Sequence, residues 1–308
     1  MPEEVRIDVA GRLLTLTNLD KVLYPEAGFT KAEVIDYYHR IAPVILPHLA
    51  DRVVTRLRLP NGTGAPSFFE KNAPAGIPDW VRRCHVRASD TDIQYLVVEE
   101  VATLVLLANY AALELHTPQW RIPADVTFPL VVDGSIASDL VMIDLDPGVG
   151  TDLPTLATAA LIIAAELAAD GLIPVPRTSG NKGLQLQAAI APSAASEVTE
   201  YVRRLGVGLE GRYPDMFVTT QVIAQRTNKI LIDFMQNYAQ RNTITSYSLR
   251  GRERPSVCTP VTWDEVAAAT EGAGLSFTSA EVLARVERHG DLAAELLVTD
   301  RPPLPGNP

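Results

Sequence analysis

The chain has 308 residues, a hydrophobic fraction of 47% and a formal net charge of −10, the make-up of a globular protein with room for one large domain or two ordinary ones. Such acidity argues against binding nucleic acid over the whole surface but not against a local basic groove. The longest apolar run, residues 101–113, is too short to span a bilayer. No secretory signal opens the sequence, and Cys84 and Cys258 lack zinc spacing, so a reducing cytoplasm with no disulfide framework and no structural zinc is expected.

Residues 5–17 alternate apolar and polar side chains, as a half-buried strand or hairpin does. Thr30 and Glu33 form a capping box, and Val34, Tyr37, Tyr38, Ile41 and Ile45 follow at helical spacing, which predicts a helix over 31–48 interrupted near Pro43. Residues 52–59 read as a strand with Arg52, Arg56 and Arg58 on one face, and Arg250, Arg252 and Arg254 make a second such trio. Each trio fits either a basic groove or a solvated edge strand. At 68–72, Phe-Phe-Glu-Lys-Asn sets two aromatics beside a lysine; the pair could stack on a base, or supply one core and one covering residue. A strand over 93–98, a buried helix over 99–111 and a strand over 113–120 come next. His116 on the last reads as a satisfied core or rim histidine.

Residues 140–148, Leu-Val-Met-Ile-Asp-Leu-Asp-Pro-Gly, form an apolar strand that delivers Asp144 and Asp146 and stops at Pro-Gly. Side chains at i and i+2 of a strand point the same way, so the two carboxylates sit side by side. Taken alone the pair is also an ordinary strand end with two solvated acids; a divalent ion with hard oxygen ligands is the alternative. Residues 151–170, ended by Gly171, predict a helix. Ser-Gly-Asn-Lys-Gly at 179–183 leads into an alternating strand and offers backbone N–H groups and an ammonium to a phosphate chain, without being a Walker A loop. A helix from 196 to about 209 follows, blurred by Gly206 and Gly208, and then residues 226–237, whose apolar strand delivers Asp233. Capping boxes at Thr262/Glu265 and Thr278/Glu281 open two short helices, and residues 299–308, with four prolines, are expected to be a flexible tail.

Two strands bearing three aspartates, with a phosphate-holding loop between them in sequence, share one chemistry. Three carboxylates converging on two divalent ions about 3.5–4 Å apart form a site for in-line nucleotidyl transfer, with lysine and arginine holding the phosphates. Alternating strands and helices suggest one compact α+β unit over 1–298.

The ordered run of motifs resembles the archaeo-eukaryotic primase superfamily, and closely the polymerase domain of the bacterial ligase D type of non-homologous end joining. It is carried by residues 14–25, Phe68-Phe-Glu-Lys, Leu113-Glu-Leu-His-Thr-Pro-Gln-Trp, Ile143-Asp-Leu-Asp-Pro-Gly, Thr178-Ser-Gly-Asn-Lys-Gly-Leu, Ile232-Asp-Phe-Met-Gln-Asn and Tyr247-Ser-Leu-Arg-Gly-Arg. The resemblance implies an α+β primase-polymerase core with antiparallel or mixed sheets flanked by helices. It implies Asp144, Asp146 and Asp233 as metal ligands for two Mn²⁺ or Mg²⁺ ions. Ser179, Lys182, Gln185, Arg226, Gln236 and Arg250 would serve the incoming NTP or dNTP, Lys21 and Lys31 a 5′-phosphate of gapped or broken DNA, and Phe68 and Phe69 the template. The implied activity is template-dependent gap filling or end extension in the bacterial cytoplasm, in association with the nucleoid and away from any membrane. De novo primer synthesis and a catalytically weakened end-binding protein are the alternatives. Two departures stand out: Gln185 replaces the histidine of the family's Ser-Gly-x-Lys-Gly-x-His motif, and Leu57 replaces a lysine common before Arg58. No ligase or phosphoesterase module is seen, so a separate DNA ligase, and Ku, are the candidate partners.

Overall fold

The computed structural model describes residues 4–88 and 91–306. Strands β1 (Glu4–Val9) and β2 (Arg12–Thr17) form the expected hairpin, turning at Ala10 and Gly11 with φ of 52° and 82°; positive φ at both turn residues matches the twist of the flanking strands. A second small hairpin, β3 (Val22–Tyr24) and β4 (Phe29–Thr30), leads into α1 (Lys31–Leu49), opened by the Thr30–Glu33 capping box. The helix is not interrupted at Pro43. Pro43 and Pro47 both lie on its exposed face, where carbonyls that lose a helical donor can turn to water.

The first sheet runs β10 (Leu130–Val131), β7 (Arg83–Ala88), β8 (Thr91–Val97), β5 (Val53–Arg58), β9 (Ala112–Thr117), β16 (Thr243–Ile244), with β6 (Phe68–Glu70) also paired to β5. Helices α1 and α2 (Val101–Asn109) pack on it through Tyr37, Tyr38, Ile41, Leu104 and Leu107. Because β5 is flanked by β8, β9 and β6, its arginines are neither a solvated edge nor an open groove. Arg52 and Arg56 are 2% and 0% exposed, and a buried charge must be paired. Arg52 pairs with Asp139 at 2.5 Å, while Arg56 and Arg58 share Glu70 at 3.0 and 3.1 Å. The second trio forms no strand: 251–254 is a bend.

The second sheet runs β12 (Val175–Thr178), β13 (Leu184–Ala194), β11 (Ala137–Pro147), β15 (Ile230–Ile232), β14 (Phe217–Val218), antiparallel except for the β15–β14 pair. Period-two patterning sorts its faces. Val141, Ile143, Leu145, Leu184 and Leu186 join the core under α3 (Leu153–Ala169), α4 (Ala195–Arg212) and α5 (Trp263–Thr270), and leave Asp144, Gln185 and Gln187 on the opposite side. Helix α4 runs on through Gly206 to Arg212. A Cβ at Gly206 would lie 3.0 Å from Thr219 and 3.4 Å from Ile232, so the bare glycine lets the helix close on β15 just before Asp233. Helix α6 (Ser279–His289) opens at its predicted capping box. The segment after 299, expected to be free, is tied to the body: Arg301 pairs with Asp139 at 2.7 Å, the Ala191 N–H donates to the Pro302 carbonyl, and Leu304 packs on the second core. The architecture is α+β, with mixed sheets flanked by helices.

Candidate metal centre and nucleotide site

Two neighbouring strands of the second sheet, β11 and β15, bring the predicted acids together. One carboxylate oxygen from each of Asp144, Asp146 and Asp233 lies within 4.8 Å of the others. Asp144 and Asp146 stand on one face at the end of β11, and Asp233 caps the 3₁₀ turn Phe234–Asn237 that follows β15. Antiparallel pairing of β11 with β15 and a bond from the Asp233 N–H to the Asp144 carbonyl (3.0 Å) set the third acid beside the first. Three carboxylates at this spacing are hard oxygen donors matched to Mg²⁺ or Mn²⁺. Burial, followed by the charge of Asp146, pushes Asp144 up to about 7. Burial and Asp233 push Asp146 upward as well. Bound divalent cations would reverse both shifts.

Two of the three acids, Asp233 and Asp144, are held by neutral amides. Gln236 Nε2 donates to Asp233 Oδ2 (2.9 Å) and Gln221 Nε2 to Asp233 Oδ1 (3.0 Å). Gln221 in turn accepts from Arg226 Nη2 at its side-chain oxygen (2.5 Å) and backbone carbonyl (2.6 Å), so Arg226 reaches the acids through Gln221. Gln185 Nε2 donates to Asp144 Oδ1 at 2.9 Å, and its Oε1 accepts from Arg177 Nε at 2.9 Å. Residues 177, 185 and 144 face one another across β12, β13 and β11 and form a single cross-strand row.

Three glycines permit the close approaches. A Cβ at Gly148 would stand 1.8 Å from the Arg226 carbonyl oxygen, one at Gly183 would stand 2.9 Å from that of Leu145, and one at Gly180 would stand 2.5 Å from Arg250 Cγ. Without side chains the end of β11, the 179–183 loop and the Arg250 segment can abut. Within the loop, Ser179 Oγ accepts the Gly183 N–H (3.1 Å), and Lys182 borders a groove shared with Arg252 and Arg254. Arg250 is held by Glu114 (3.1 Å), whose other oxygen accepts the Gly251 N–H (2.9 Å), while His116 sits 2.8 Å from Glu114.

The remaining predicted residues lie on strand β6 of the first sheet or beside the N-terminal hairpins. Phe68 and Phe69 are 46% and 62% exposed, and Phe69 meets the edge of His116 at 5.4 Å. Lys21 Nζ donates to Asn61 (3.0 Å) and Lys31 Nζ to the Thr17 carbonyl (2.5 Å); among the described residues neither makes an ion pair. Burial, then the charge of Lys21, lowers Lys31 to about 8, so the two ammoniums feel each other. Sequence reasoning did not single out Arg177, Gln221 or Glu114 as site residues. For Glu114 and His116 a signal existed, since their i, i+2 spacing on a strand puts them on one face. For Arg177 and Gln221 it did not, because their partners are set by register and loop path.

The model of the LigD primase-polymerase domain matches residues 30–293. The chain is 39% identical over 284 residues to the multifunctional non-homologous end joining DNA repair protein LigD of Mycobacterium tuberculosis, covering 92% of this chain and 37% of that protein. It is 31% identical to the bifunctional non-homologous end joining protein LigD of Bacillus subtilis, covering 90% of this chain and 43% of that one. The chain thus spans less than half the length of these relatives. The solved polymerase domain of Mycobacterium tuberculosis ligase D in complex with DNA superposes with a TM-score of 0.88 at 38% identity, covering 94% of this chain and 99% of that one. With the fold matched over nearly its whole length, the chain belongs to the LigD primase-polymerase domain family.

Proposed function

We propose that the protein is a template-dependent nucleotidyltransferase that fills short gaps or extends ends during non-homologous end joining. The observation that carries this reading is the convergence of Asp144, Asp146 and Asp233 next to the Ser179–Lys182 loop and Arg250. In this reading the three aspartates hold two divalent ions, Mn²⁺ or Mg²⁺. When bound, these would supply Lewis acidity at the primer 3′-hydroxyl and offset charge on the triphosphate. Lys182 and Arg250 add positive charge where the pyrophosphate leaves, at positions already built before the nucleotide arrives. Ser179 and the loop N–H groups orient the phosphates. Gln236 and Gln221 keep the Asp233 carboxylate turned towards its neighbours, and Arg226 steadies Gln221. Gln185 does the same for Asp144. Exposed Phe68 and Phe69 offer flat faces to template bases, and Lys21 with Lys31 forms a cationic pocket for a 5′-phosphate. Ligation would be completed by a DNA ligase activity, with Ku presenting the ends. No helix among the described residues is long and apolar enough to cross a membrane.

The test is extension of a labelled primer across a gapped duplex carrying a 5′-phosphate, with Mn²⁺ and either NTPs or dNTPs. The parent protein should extend it, and changing both Asp144 and Asp146 to alanine should abolish extension while leaving gap binding. Tight gap binding without extension by the parent would refute the enzymatic reading.

A further inference from the structure

Where the polar face of the second sheet meets β9 and β16, a cavity of about 20 Å³ lies between the sheets, bordered by Arg52, Arg121, Arg177, Gln187, Thr117 and Ser246. We propose that this cavity is a binding site for a single halide-sized anion, chloride under ordinary conditions, which neutralises the guanidiniums behind the metal centre.

The charge count favours an anion over water. One carboxylate, Asp139, serves three arginines: it accepts from the buried Arg52 (2.5 Å) and from the partly exposed Arg121 (2.8 Å) and Arg301 (2.7 Å), while Asp291 is taken up by His48 at the cavity's border (2.9 Å). Arg177 is 2% exposed and has no carboxylate partner among the described residues. Its nitrogens donate to Gln185 Oε1, Ser246 Oγ and the Ile244 carbonyl, all neutral. The acid nearest to it across Gln185 is Asp144, which belongs to the metal centre. Buried guanidiniums in excess of carboxylates are costly unless an anion compensates.

Donors are also available. Gln187 is 5% exposed and borders the cavity, yet its side-chain amide makes no hydrogen bond among the described residues, and neither do Arg52 Nε and Arg121 Nη2. A volume of about 20 Å³ admits one particle near the size of water. That suits chloride or bromide and excludes a phosphate or sulfate group.

Two measurements separate an anion from water. In crystals of the full chain grown with bromide, anomalous scattering should place one bromide between Arg177, Gln187 and the Arg52–Arg121 pair. In thermal denaturation at constant ionic strength, sodium chloride or bromide should raise the Tm over sodium gluconate by about 2 °C at ten times the Kd. Gln187→Glu carries its own negative charge into the cavity, so its halide-dependent shift should vanish. Gln187→Leu keeps the cavity neutral but removes an amide donor, so a several-fold higher halide concentration should be needed. A water with no anomalous signal would overturn the proposal, and so would equal Tm values in chloride and gluconate for the parent or a full halide shift retained by Gln187→Glu. Should Gln187→Glu fail to fold, the bromide map of the parent still distinguishes a bound halide from water.

Discussion

Asp144→Asn should stabilise the metal-free protein while removing its nucleotidyl transfer. Asp144 is 8% exposed, and burial together with Asp146 raises it from 3.8 to about 7. At about 1.4 kcal/mol per unit, keeping it ionised in the fold costs up to about 4 kcal/mol. Sharing of the proton with Asp146 reduces that, leaving about 1–4 kcal/mol. Asparagine has the same shape, and its carbonyl oxygen can still accept from Gln185 Nε2. For 308 residues the unfolding entropy is ~0.65 kcal/mol/K, so the variant should melt about 2–6 °C higher at pH 8 in EDTA. The sign follows from linkage. A carboxyl whose folded pKa lies above its unfolded value destabilises the fold fully above about pH 7, and the penalty fades as pH falls, disappearing below about pH 4. The gain should therefore shrink to about a quarter by pH 4.5. Millimolar Mn²⁺ should raise the Tm of the parent at pH 8 and leave the variant nearly unchanged, because binding needs the deprotonated carboxylate. An Asp144→Asn protein that melts at or below the parent at pH 8 in EDTA, or that keeps its full advantage at pH 4.5, would refute the electrostatic reading of the site.

Four other outcomes can be checked. Burial and Lys21 lower Lys31 to about 8, so its charge is present below that pH and lost above it. The preference for a 5′-phosphate over a 5′-hydroxyl at a gap should weaken by up to about tenfold between pH 7 and 9, and Lys31→Ala should flatten that dependence in a binding titration. Gln185→Leu strands Arg177 Nε and one Asp144 oxygen and should cost about 1–3 kcal/mol in chemical denaturation. Gln185→His should change incorporation rate or nucleotide affinity in single-nucleotide kinetics; unchanged constants would show that the amide has no part in handling the nucleotide. Gly148→Ala would place a Cβ 1.8 Å from the Arg226 carbonyl oxygen. It should displace the loop carrying Arg226, cutting extension by at least about tenfold for a loss of about 1–3 kcal/mol.

Much of the metal centre is legible in the sequence because its parts obey local rules. Two acids at i and i+2 before Pro-Gly must share a face, whatever strand they end. Capping boxes at Thr30, Thr262 and Thr278 mark helix starts through contacts three residues long, and all three helices begin there. The continuity of α1 through Pro43 is not legible, because a proline's cost depends on whether the freed carbonyl meets solvent, which residue spacing does not show. Arg52, Arg56 and Arg58 differ from expectation for another reason. Their shared strand segment is plain, but whether a strand is central or at an edge depends on pairing with β6, β8 and β9. That position turns three apparent surface cations into partners of Asp139 and Glu70, with Arg52 and Arg56 buried and Arg58 partly covered.

The chain's own periodicity therefore determined which residues share a face and where helices begin, since hydrogen bonding and side-chain alternation act over two to four residues. Only the tertiary structure decided which faces meet. The Arg177–Gln185–Asp144 row exists through the register of three strands, and Glu114 grips Arg250 from the other sheet. Burial then set the charges: with water excluded, Arg52 and Arg56 had to find carboxylate partners elsewhere in the chain.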